Sequence, residues 1–176
     1  VVVVAVVVVL RGDVGAPPVV RGGEAPGFAL PLLSDAEGSP VGSLSLEALR
    51  GRIVLLNFWA SWCEPCEREM PAMQRLYTAL PRSEFELVAV AIDESQEDVA
   101  AFEQRMDLSF PILLDPGGEV YKTYQAMGVP ESLLIDRSGR IVERYVGPRE
   151  WDAREYRERI EALIDSSAGG AERVSP

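Results

Sequence analysis

Histidine is absent from the 176 residues. That excludes a Ser-His-Asp triad, a Cys-His protease pair, and any zinc, haem or copper site that relies on imidazole. Proton transfer is left to carboxylates, thiols, tyrosines or water. Lysine is nearly missing too: Lys122 stands beside sixteen arginines, a compositional bias to which no function attaches. Positive charge is scarce overall, and the net charge of −11 argues against a nucleic-acid partner, because phosphate binding is driven by Lys and Arg. Cysteine occurs twice, at 63 and 66. Two cysteines fall short of the four ligands of a structural zinc site. A chain of this size, 47% hydrophobic, does not need a staple between distant segments. The pair therefore reads as redox chemistry, with no metal and no cofactor.

The length suits one domain with extensions. Residues 1–10 form an unbroken apolar run, shorter than the ~20 residues that span a bilayer. It reads as the end of a signal-anchor or signal-peptide apolar region, or else as a β-branched strand. Residues 11–27, rich in Gly and Pro, read as a linker, 28–165 as the folded domain and 166–176 as a small, polar tail.

Within the domain, the pattern predicts a short hairpin (28–33 with 41–44) and a helical turn at 46–50. The continuous apolar runs 53–59 and 85–92 carry the mark of strands buried on both faces. Helices are expected at 63–80, 96–106, 119–126 and 151–164, with shorter strands at 110–114, 133–136 and 141–146. The last two flank the turn Arg137-Ser138-Gly139. Such alternation implies an α/β fold, a central mixed sheet with helices on both faces.

Cys63 falls where a buried strand gives way to a helix. There the unpaired N–H groups and the helix dipole stabilise a thiolate. Cys66 lies one turn further in, so Cys63 is the expected nucleophile and Cys66 the resolving thiol. Pro65 sits in the first turn, where a missing N–H costs nothing. Glu69 shares the helix face of Cys66. On spacing alone it is either a buried acid exchanging protons with Cys66 or a solvated glutamate like Glu64 and Glu67. Pro71, in mid-helix, predicts a kink. Pro130, just before a strand, is compatible with a cis peptide.

The segment Asn57-Phe58-Trp59-Ala60-Ser61-Trp62-Cys63-Glu64-Pro65-Cys66 resembles the active-site stretch of the thioredoxin superfamily. More narrowly, it is similar to the membrane-anchored TlpA/ResA/CcmG branch, and so is Gly128-Val129-Pro130-Glu131-Ser132-Leu133-Leu134-Ile135-Asp136. The resemblance implies a thioredoxin-like three-layer sandwich with an N-terminal hairpin and a central insertion, which residues 102–124 fit. It implies a Cys63–Cys66 disulfide, a cis Pro130 against it, and backbone pairing between Val129 and substrate. The implied substrate-binding set is Trp62, Val129, Pro130 and Glu131, with Asn57, Glu64 and Pro65 tuning the site. Asn57 replaces thioredoxin's buried aspartate, and Glu69 matches the branch's buried glutamate. Because Glu131 follows Pro130, it is expected on the substrate-facing rim beside the sulfurs, near Glu64.

The resemblance further implies an extracytoplasmic protein-disulfide reductase, anchored by an N-terminal segment. Its electrons come from a membrane-embedded thiol carrier, and its clients are disulfide-bearing exported proteins, apocytochrome c among them. Two rival functions fit less well. A peroxiredoxin-like peroxide reductase needs Thr or Ser where Ala60 stands. A copper-delivering chaperone needs CxxxC and a distant histidine.

Overall fold

The computed structural model describes residues 19–33, 42–93 and 95–168. Two short strands, β1 (Ala29–Pro31) and β2 (Ser43–Ser45), form an antiparallel pair, followed by a 3-10 turn at Glu47–Leu49. The main sheet is built from β3 (Ile53–Trp59), β4 (Phe85–Ala91), β5 (Ile112–Leu114), β6 (Glu131–Ile135) and β7 (Ile141–Val146). Its order is β5-β4-β3-β6-β7, with β3, β4 and β5 parallel and β6 and β7 antiparallel. The helices are α1 (Glu64–Ala79), α2 (Gln96–Met106), α3 (Glu119–Thr123) and α4 (Arg154–Ala168).

The apolar runs of β3 and β4 are buried throughout because both faces of the sheet are covered. Alternation divides them. Ile53, Leu55 and Trp59 face Met70, Met73 and Leu76 of α1, Phe102 of α2 and Ile160 of α4. Val54, Leu56 and Phe58 face the opposite layer, built from Phe28, Leu46, Leu49 and the residues around α3. The expected insertion supplies the end of α2, the edge strand β5 and α3. The last of these covers the face that α1 leaves open.

Several boundaries differ from the sequence reading, among them the early end of α3 at Thr123 and the late start of β5 at Ile112. Residues 19–27 are not a linker: Val19 and Ala25 are buried, and Gly22 N–H donates to Ile141 C=O at 2.7 Å while Ile141 N–H donates to Gly23 C=O at 2.9 Å. Gly and Pro here shape an irregular strip pinned to the start of β7. At the other end α4 runs to Ala168, past the expected start of the tail at 166, and Trp151 precedes the helix as a buried side chain. Finally, β6 begins at Glu131, two residues early, because its backbone pairs with Phe58 and Val146. α1 continues through Pro71. The apolar run 1–10, the first part of the linker and the last residues of the tail lie outside the described residues, among which no helix is long and apolar enough to cross a membrane.

Candidate active site

The end of β3 and the start of α1 set the two cysteines. Ser61 is fastened by its N–H to both carboxylate oxygens of Asp93 at 3.0 Å, and its hydroxyl also bonds that carboxylate. Asp93 lies just past β4 and is itself buried. Cys63 N–H then donates to Ala60 C=O at 3.1 Å, closing the turn. Cys63 caps α1, and its sulfur accepts from Cys66 N–H at 3.2 Å. The two are joined as a disulfide with Cα atoms 5.3 Å apart. Cys63 is 5% exposed and Cys66 0%. The outer sulfur is thus the one at the helix N-terminus, where thiolate charge is best tolerated.

Beneath them, the alternation of β3 and β6 turns two polar side chains towards α1. Asn57 and Ser132 are register partners across these strands. The Asn57 amide donates to Ser132 Oγ at 2.9 Å and to Glu69 Oε1 at 3.0 Å. Glu69 Oε2 accepts from Arg149 N–H and from the Trp151 indole N–H, each at 3.1 Å. Glu69 is only 2% exposed, so the buried reading holds and the solvated one fails. Burial pushes its pKa up from 4.5 to about 7, against the pull of the Arg149 amide, the Trp151 indole, the Asn57 amide and the Arg149 charge. A cavity of about 150 Å³ bounded by Arg68, Glu69, Pro148, Arg149 and Glu150 borders the carboxyl.

The Val129–Pro130 peptide is cis. Val129 is part-buried and packs against the residues of both cores. Glu131 is not on a solvent-facing rim. Its side chain is 0% exposed, ion-paired with Arg144 and accepting from Met127 N–H at 3.1 Å. Strand alternation is the reason: in β6, Ser132 and Leu134 face α1, so Glu131, Leu133 and Ile135 face the other layer. Glu64, in contrast, is exposed, and it pairs with Arg68 one turn on at 2.6 Å.

A model of the AhpC/TSA family matches residues 21–144. Thiol-disulfide oxidoreductase ResA of Bacillus thuringiensis is 40% identical over 126 residues, 72% of this chain and 69% of that protein. A thiol:disulfide interchange protein of the DsbE type from Chlorobium tepidum superposes with a TM-score of 0.73 at 33% identity, over 82% of this chain and 97% of the other. StoA from Bacillus subtilis gives 0.61 at 32%, over 75% and 96%. The chain belongs to the ResA-type thiol–disulfide oxidoreductases. It is a thioredoxin-fold enzyme acting on protein disulfides, and its candidate site holds the Cys63–Cys66 disulfide.

In this ResA-type site, Trp62 stands 69% exposed beside the sulfurs' turn. With Ile92, Asp93, Ser95 and Asp98 it lines a cavity of about 440 Å³. Four contributors escaped the sequence reading: Asp93, Ser132, Arg149 and Trp151. Only Trp151 carried a signal, since a buried indole N–H needs an acceptor. Nothing in the sequence said that the acceptor was Glu69, 82 positions away.

Proposed function

We propose that the chain is an extracytoplasmic protein-disulfide reductase of cytochrome c maturation, whose client is the CxxCH segment of an exported apocytochrome. The observation that carries this reading is the Cys63–Cys66 disulfide capping α1 above a buried Glu69 whose pKa is about 7. In the reduced enzyme, Cys63 thiolate attacks one sulfur of the client disulfide and displaces the other as a thiolate. A mixed disulfide results. The Cys66 thiol then loses its proton and attacks Cys63 Sγ, releasing the second client thiolate. Two electrons have passed to the client, and the enzyme is left in the disulfide form seen here.

Glu69 takes the Cys66 proton in this scheme. Helix geometry puts residues three apart about 5–6 Å from each other at Cβ. An acid with a pKa near the working pH both accepts and returns a proton. Trp62, Val129 and Pro130 receive the client, while Glu64, Pro65 and Asn57 set the site's polarity. A membrane-embedded thiol carrier restores the dithiol, and the apolar run 1–10 supports placing the chain at that membrane.

The test uses an oxidised CxxCH peptide. The reduced chain should reduce it with a stoichiometry of one disulfide per dithiol. Cys66→Ala should accumulate a mixed disulfide on a non-reducing gel, and Cys63→Ala none. The reverse gel pattern, or no transfer to the peptide, would sink the reading.

A further inference from the structure

Glu131 is fully buried, and the redox chemistry leaves it without a task. Its neighbours on the same face of β6, Leu133 and Ile135, are aliphatic. A buried carboxylate is expensive unless paired. Its partners say what the acid supplies. It is ion-paired with Arg144, which reaches in from the neighbouring strand β7. It also accepts from the backbone N–H of Met127 at 3.1 Å. Met127 lies in the irregular stretch between α3 and β6, where a loop amide has no ladder to join.

Arg144 widens the clamp. It donates to Gln125 C=O at 2.8 Å and to Val19 C=O at 3.3 Å. Gln125 has a φ of +52°, a left-handed conformation that a non-glycine residue holds at a cost. Residues 125–127 are thus gripped from within the sheet, and Val129 and Pro130 follow directly. The Met127 side chain, 84% exposed, projects from the same loop.

We infer that Glu131 and Arg144 are positioning residues for client docking: through the Met127 amide and the Gln125 carbonyl they hold the loop that presents Val129 to the client. The inference rests on the reading above, in which the Val129 backbone pairs with a protein disulfide. It replaces direct charge contact by Glu131 with an indirect role.

The test compares a client that docks with one that does not. Steady-state reduction of the oxidised CxxCH peptide, with a small dithiol regenerating the reduced chain and its direct reaction with the peptide subtracted, gives KM and kcat. Reaction of the reduced chain with DTNB, a small aromatic disulfide, reports Cys63 alone. Glu131→Leu should raise KM for the peptide about tenfold, ~1.4 kcal/mol of docking, with kcat and the DTNB rate little changed. Glu131→Gln, which keeps an oxygen for Met127 N–H, should recover KM to within about threefold. Arg144→Lys retains the charge but not the forked donor geometry and should also raise KM; it carries the test if Glu131→Leu does not fold. An unchanged KM in folded variants, or an equal loss on peptide and DTNB, overturns the positioning role. A parent chain that reduces DTNB but not the peptide overturns the proposed function together with this role.

Discussion

Near neutral pH the Glu69 carboxyl is divided between its two forms, and this has a consequence for stability as well as for catalysis. An ordinary glutamate titrates at 4.5, and the folded one at about 7. Between those values the native state holds a proton that the unfolded chain has released. Stability therefore falls as pH rises through that window. At 1.36 kcal/mol per pH unit, the loss is on the order of 3 kcal/mol, absent below about pH 4.5 and complete above about pH 7. Glu69→Gln should flatten that slope. Urea unfolding of the oxidised protein across this range checks it; parallel curves for parent and variant would show that Glu69 titrates normally. Spacing placed Glu69 on the helix face of Cys66 and left its burial open, while the family resemblance pointed to a buried acid. What decided the matter was the arrival of Asn57, Arg149 and Trp151 around one carboxyl.

Among the helices, α2 is the one whose extent the sequence predicted at both ends, as it did for the strands β3 and β7. Ser95 caps α2, accepting from Asp98 N–H at 3.2 Å, and the helix stops at Asp107 in a left-handed conformation. It docks on the sheet through Val99 and Phe102, with the Phe102 ring 4.7 Å from that of Trp59. Both rings are buried, and Trp59 ends the strand that leads to Cys63. Phe102→Ala should cost about 3–5 kcal/mol, read as a lower urea midpoint at unchanged m. A cost under about 1 kcal/mol, the range of a conservative core change such as Ile→Val, would mean that α2 adds little to this core. The sequence reading started β6 two residues late, at Leu133 instead of Glu131. Pairing with β3 and β7 placed Glu131 in the sheet, and Arg144 on the adjacent strand made its burial tolerable.

Taken whole, the molecule carries a net charge of −11. A basic client peptide is therefore attracted from a distance, whichever carboxylates line the site itself. Reduction of such a peptide should slow as salt rises from about 0.01 M to about 0.1 M, where the screening length falls from ~30 Å to ~10 Å. Glu131→Gln should leave this dependence intact, since that carboxylate is buried and ion-paired with Arg144. Stopped-flow rates over the salt series test the idea. A flat series for the parent would remove long-range steering, and a series flattened only in the variant would return Glu131 to the rim.

By itself the sequence determined the fold class and the place of the cysteine pair at a strand-to-helix junction. These depend on local signals: apolar runs of strand length and a helix period. Tertiary structure alone decided which side of the sheet each polar residue faces. A strand's alternation is visible in sequence, but the face that α1 covers is not. Asn57, Ser132 and Glu69 meet because β3 and β6 are register partners beneath that helix. Glu131, one residue earlier in β6, is turned away by the same alternation and meets Arg144 and the Met127 amide instead. One step along a pleated strand separates a partner of the reactive-site acid from a brace for the docking loop.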